Sequence, residues 1–157
     1  MRVGDLMTTD VVTTTPATTI ERLEELLNQN AISGAPVLDG DQLVGVVSQT
    51  DIIRVIADHP HGGSDLPQFL LSPQPIAASV LADLVAERAS AAERMAARTV
   101  ADVMTGVPVT VSADDDVAVA AQKMCDERIH RVLVTEDGRL VGLLSALDLV
   151  GLLIDGA

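Results

Sequence analysis

The chain has no Trp and no Tyr, and its one aromatic residue is Phe69. Recognition of nucleic-acid bases by stacking on Trp or Tyr is therefore excluded. Positive charge is scarce as well: 10 Lys and Arg stand against 23 Asp and Glu, a net charge of -13 over 157 residues. Nucleic-acid binding is driven by neutralising phosphates with Lys and Arg, so this balance opposes a nucleic-acid partner and, likewise, an anionic membrane surface. The single Cys125 excludes an internal disulfide and fits a reducing compartment. Its place in an amphipathic segment predicts a core thiol rather than a catalytic or redox one. Long apolar runs are also missing. The longest stretch free of Asp, Glu, Lys and Arg, Leu66 to Ala82, is interrupted by Pro67, Gln68, Pro73, Gln74 and Pro75, whereas a spanning helix needs about 20 mainly apolar residues. The opening Met1 to Leu6 does not lead into the apolar core of a signal peptide. A soluble cytoplasmic protein is expected, with a core of Val, Leu, Ile, Ala and Met drawn from 48% apolar residues.

What the chain does contain is a repetition. Val3-Gly-Asp-Leu-Met-Thr8 returns as Val100-Ala-Asp-Val-Met-Thr105, and Leu43-Val-Gly-Val-Val-Ser-Gln-Thr-Asp51 returns as Leu140-Val-Gly-Leu-Leu-Ser-Ala-Leu-Asp148. Both pairs are offset by 97 residues, and residues 3–55 match 100–152 at 13 of 53 positions without a gap. An internal duplication settles architecture before any local argument, because two copies imply one pseudo-symmetric fold.

In the first copy the β-branched run Val11 to Thr14 predicts a short strand ended by Pro16. Thr18-x-x-Glu21 has the form of a capping box, and Ile20, Leu23 and Leu27 share a helical face, which predicts a helix from Thr18 that stops at Asn28-Gln-Asn30. Ala35 to Leu38 and Leu43 to Val47 are predicted strands about an Asp39-Gly40-Asp41 turn. Ser48 or Thr50 leads into a second helix, Asp51 to about Ala57. The second copy repeats this β-α-β-β-α order: a strand at Val109–Val111, a helix from about Val117 to Arg128, strands at Arg131–Val134 and Leu140–Leu144 about Asp137-Gly138, and a helix from about Leu147. The expected organisation is therefore repeat 1 at 1–57, an insert at 58–98 and repeat 2 at 99–157, the two repeats forming one compact module. Within the insert, residues 58–65 are loop-like, and Ile76 to Ala97 reads as helix, with Ile76, Val80 and Leu84 on one face. His59 and His61 lack a third credible metal ligand. Asp114, Asp115 and Asp116 are read as negative charge at a helix N-terminus rather than a metal site.

The chemistry-bearing phrase is Gly-x-x-Ser-x-x-Asp, present as Gly45…Ser48…Asp51 and Gly142…Ser145…Asp148. A strand ends at Ser, the chain turns, and Asp lies in the first turn of a helix. Such a turn offers a hydroxyl and backbone N–H groups to an anion. The carboxylate can also accept both hydroxyls of a ribose, as acidic residues do in other nucleotide folds. Helix capping alone is the plainer alternative.

These phrases, with the leading Val-x-Asp-(Leu/Val)-Met-Thr and the hairpins, resemble a tandem pair of cystathionine β-synthase (CBS) domains, a Bateman module, over about 1–57 and 99–154. The resemblance implies an α/β (α+β) fold: two β-α-β-β-α repeats packed about a pseudo-twofold axis, two clefts between them, and a partly helical insert. It implies adenosine-containing ligands, namely AMP, ADP, ATP or S-adenosylmethionine, with Asp51 and Asp148 on ribose hydroxyls and Ser48 and Ser145 near phosphate. Residues of the first strand and of the strand after the first helix surround the base. Ile129-His130-Arg131 is similar to the His-Arg phrase of the regulatory subunit of AMP-activated protein kinase, which implies phosphate contact by His130 and Arg131. The aligned Ile32-Ser33-Gly34 has neither base, so two pockets of unequal charge are expected, although Arg131 could instead pair with a surface carboxylate. The resemblance also implies a homodimer.

Three readings remain open at this point: a regulatory module that signals adenosine-ligand occupancy to a protein partner, a structural or dimerisation module with vestigial clefts, and an enzyme. The last lacks a Gly-x-Ser-x-Gly, a Walker A loop and a Cys-x-x-Cys pair, so no catalytic residue, metal or required cofactor is expected, the nucleotide being a regulatory ligand.

Overall fold

Both copies build a helix, a two-stranded hairpin and a second helix in the same order, because their apolar positions recur with the same spacing. The structure, a computed structural model, describes residues 1–57, 92–93, 95–106 and 108–155. After a 3-10 turn at Val3–Asp5 come α1 (Ile20–Gln29), β1 (Gly34–Asp39), β2 (Gln42–Ser48) and α2 (Gln49–Ala57). The second copy supplies α3 (Val100–Val103), β3 (Thr105–Gly106), β4 (Thr110–Val111), α4 (Val117–Glu127), β5 (Arg131–Glu136), β6 (Arg139–Ser145) and α5 (Ala146–Asp155). The fold is mixed α/β. Most of the helix expected over Ile76–Ala97, together with His59 and His61, lies outside the described residues, while Ala92, Glu93 and Met95–Ala97 are helical.

Two compact units partition the chain, and neither coincides with a repeat: one comprises Met1–Thr15, Ala35–Val46 and Thr105–Ala157, the other Pro16–Gly34 and Val47–Met104. The first holds most of a sheet ordered β1-β2-β6-β5-β4, with β3 paired to β2. β5 and β6 form an antiparallel hairpin from Arg131↔Ser145 to Glu136↔Arg139, with a bulge at Val134/Thr135. α4 lies on β5, and Val3, Val111, Ala120, Met124, Val132, Val134 and Leu144 form the buried cluster. Full burial of a Val, Leu or Met side chain contributes about 1.5–3 kcal/mol. In the second unit α2 packs on both α1 and α3, and Ile20, Leu23, Leu27, Ile52, Val55, Met95 and Val100 are buried.

The lead-in of each copy is bonded to the body of the other. In the first unit Val3 and Gly4 N–H groups donate to the Asp115 and Ala113 carbonyls, both at 2.9 Å, and Thr8 and Leu143 exchange two bonds of 2.9 Å. In the second, Val100 and Ala101 N–H groups donate to Thr18 and Pro16 at 2.8 and 2.9 Å. Each of these partners is shifted by the same 97 residues. The pairing of Thr105 with Val46 likewise mirrors that of Thr8 with Leu143.

Three expectations need correction. Val11–Thr14 is not a strand; Thr14 alone forms a parallel bridge, to Val37, through Thr14 N–H to Pro36 O at 3.0 Å and Leu38 N–H to Thr14 O at 2.9 Å. The next rung would need an N–H from Pro36, which has none. The second copy has Leu133 there, whose N–H reaches the Val109 carbonyl at 3.3 Å, and so the strand β4 forms. The cap of α1 is Thr19, not Thr18: its hydroxyl accepts from Arg22 N–H at 3.2 Å. Thr18 instead gives its carbonyl to Val100. Cys125 is exposed rather than a core thiol, because Ala120 and Met124 define the buried face of α4 and the next residue lies about 100° around the helix. The two turns also differ. Only Gly40 has positive φ (60°) in the first, the pattern of a type II′ turn, whereas Asp137 and Gly138 (49° and 78°) make a type I′ turn in the second.

Capping carboxylates account for the acidic triplet. Asp116 caps α4 by accepting from Ala118 N–H at 2.9 Å, a bond that lowers its pKa. Asp115 accepts from Ser112 N–H at 2.9 Å, and Asp114 pairs with Arg2. The three side chains diverge: Asp116 to Ala118 and the N-terminal amine, Asp115 to Ser112 and Asp114 to Arg2. At α3, Asp102 accepts from the Thr99 N–H at 2.8 Å and the Thr99 hydroxyl at 3.1 Å, which hold its carboxyl below the usual range, with Arg98 adding to the effect.

Candidate ligand-binding site

Each Gly-x-x-Ser-x-x-Asp phrase folds as a strand running directly into a helix, and the first turn of that helix is closed by its own Asp. Asp51 Oδ2 accepts from Ser48 N–H at 2.8 Å and from Ser48 Oγ at 2.9 Å. Asp148 Oδ2 accepts from Ser145 N–H at 2.8 Å and from Ser145 Oγ at 2.6 Å. Capping thus occupies one carboxylate oxygen in each copy. It leaves Oδ1 as the oxygen whose surroundings decide what else the residue can do.

Those surroundings differ. Asp51 is 7% exposed, and its Oδ1 accepts from Arg54 Nη1 at 3.2 Å, an i,i+3 ion pair on α2. The position aligned with Arg54 is Gly151. A Cβ placed on Gly151 would have nothing within 4 Å, and Asp148 is half-buried.

His130 and Arg131 meet this second motif. Arg131 is paired with Ser145 across the β5–β6 hairpin, and the Ala146 N–H donates to the His130 carbonyl at 2.9 Å. Both residues are exposed. The first copy makes the same backbone bond, from Gln49 N–H to the Ser33 carbonyl at 2.9 Å. The alignment of Ser33-Gly34 with His130-Arg131 is therefore structural as well as sequential. Gly34 has a packing reason, since a Cβ there would lie 2.9 Å from the Val47 carbonyl oxygen.

All six residues expected from the sequence fall into two groups: Ser145, Asp148, His130 and Arg131 in one unit, Ser48 and Asp51 in the other. Arg54 was not foreseen, although an Asp and an Arg three residues apart on a helix are neighbours, and the contrast with Gly151 was visible in the aligned copies. Among the described residues no three or more His, Cys, Asp or Glu side chains converge on a metal site, and no helix is long and apolar enough to cross a membrane.

The CBS domain family model matches residues 3–58 and 100–155. The chain belongs to the CBS domain family. An uncharacterized protein of Methanocaldococcus jannaschii is 36% identical to this CBS pair over 133 residues, 82% of this chain and 77% of the relative. The chloroplastic CBS domain-containing protein CBSX1 of Arabidopsis thaliana is 30% identical over 151 residues, 91% of this chain and 60% of that protein. Among solved structures, CBSX2 in complex with AMP superposes with a TM-score of 0.70 at 25% identity, covering 98% of this chain and 97% of that one. The CBS domain of a CBS domain-containing membrane protein from Sphaerobacter thermophilus gives 0.72 at 27% identity, over 97% and 87%.

Proposed function

We propose that this CBS pair is a non-catalytic regulatory module that binds an adenosine-containing ligand at its Ser-x-x-Asp motifs and passes occupancy to a protein partner. The supporting observation is the meeting of Ser145, Asp148, His130 and Arg131 at one end of the β5–β6 hairpin. On so acidic a chain a phosphate needs a local cation, and His130 and Arg131 adjoin the start of α5 through the Ala146 N–H to His130 carbonyl bond and the pairing of Arg131 with Ser145. Asp148 and Asp51 take ribose hydroxyls in this reading, Ser145 and Ser48 lie near phosphate, and His130 and Arg131 counter its charge. The likeness to a CBS pair that binds AMP supports AMP first, with ADP, ATP and S-adenosylmethionine in the same class. Signalling follows only if the ligand binds two states of the module with different affinity. A cytoplasmic, reducing location fits the exposed thiol of Cys125.

Self-association belongs to the same reading. Leu147, Val150, Leu153 and Ile154 on α5 are 80, 50, 76 and 73% exposed, and their spacing puts them on one helix face. We assign that face to a homodimer.

A thermal-shift panel of AMP, ADP, ATP and S-adenosylmethionine tests the ligand. A bound ligand at a hundred times its Kd adds about 2.7 kcal/mol of stability, so the melting temperature rises, and the rise shrinks in Asp148→Ala and Arg131→Ala. No shift with any of the four at millimolar concentration sinks the reading.

A further inference from the structure

We infer that the two motifs are unequal at the ribose, and that Arg54 is the residue that closes the first one. This rests on the adenosine-binding reading and adds to it which copy takes the ligand. In both copies the serine saturates Oδ2 of the aspartate. A vicinal diol must then donate to Oδ1. In the first copy Arg54 already donates to that oxygen at 3.2 Å, and Asp51 is almost wholly buried. In the second, Gly151 provides no side chain, the space beside it is open, and Asp148 is half-buried, so its Oδ1 can accept from a ligand. The same copy carries His130 and Arg131, whereas in the first a side chain at position 34 is blocked by the Val47 carbonyl. Charge, acceptor and space therefore agree: the second motif receives a nucleoside phosphate, and the first is closed by a side chain of its own helix. Arg54 is a specificity-determining residue that sets stoichiometry.

Both positions can be exchanged without harm to the fold, since Arg54 is 73% exposed and a Cβ at Gly151 has no neighbour within 4 Å. Calorimetric titration of the full chain with AMP and with 2′-deoxyadenosine monophosphate reads the outcome. Wild type binds one AMP per chain and prefers it to the deoxy ligand by about tenfold, the size of one hydrogen bond to a charged acceptor. In Gly151→Arg this preference falls to about twofold or less as the new guanidinium takes Oδ1; using the ratio cancels any attraction of the added charge for phosphate. Arg54→Ala gains a second, weaker AMP site. Two equal sites in wild type, or an undiminished preference in Gly151→Arg, overturns the inference while leaving adenosine binding intact. Absence of AMP binding in both wild type and Arg54→Ala overturns AMP as the ligand, and the inference with it.

Discussion

Thr14, a residue 5% exposed, holds a buried hydroxyl that finds no hydrogen-bond partner among the described residues. Its counterpart in the second copy is Val111, which makes the equivalent parallel pairing with Val134 and is 3% exposed. An unpaired hydroxyl taken from water costs about 1–3 kcal/mol, and valine has the same shape without it. Thr14→Val is therefore expected to raise unfolding stability by about 1 kcal/mol, seen as a higher urea midpoint at unchanged slope; a lower midpoint would show that the hydroxyl has a partner. Single residues were unevenly legible in the sequence. Ser48, Asp51, Ser145 and Asp148 stood out because they recur in register. Arg54 did not, since its meaning lies in the oxygen it occupies, and Cys125 was misjudged because one step around α4 separates the buried face from the exposed one.

At the level of elements, capping and backbone donors decided what propensity alone left open. Pro36 removes the N–H that a strand at Val11–Thr14 required, a constraint written in the sequence but invisible until Thr14 is paired with β1. Helices and hairpins were read nearly to their ends because their periodicity is local, whereas Thr19 displaced Thr18 as cap through a distant bond from Val100. Asp102 provides the pH test. Its folded pKa is lowered, chiefly by the Thr99 N–H, so the unfolded chain binds its proton more readily. The stabilisation is then complete above the ordinary carboxylate range and is lost as pH falls through the lowered folded value. Urea unfolding of wild type and Asp102→Asn should differ in favour of wild type at pH 7 and converge toward pH 3; a difference that stays constant with pH would remove the charge from the explanation.

For the whole molecule, the duplication was legible and its consequence for connectivity was not, because the lead-ins bond to residues about a hundred positions away. Assembly is tested at this scale. Aspartate at two positions of the exposed α5 face, Leu147→Asp with Leu153→Asp, should halve the mass measured by light scattering and leave the far-ultraviolet circular dichroism unchanged; a monomeric wild type at high concentration would rule the dimer out. The crossed lead-ins carry one more implication. Among the described residues, Val3 and Gly4 of one copy and Val100 and Ala101 of the other give their N–H groups to carbonyls of the opposite copy, so a severed half would leave those donors, and its own matching acceptors, unpaired. Because donors and acceptors recur at the same interval, two identical halves could satisfy one another in the same reciprocal way, which makes a mutually completing pair of single-repeat chains a workable forerunner of this fused one.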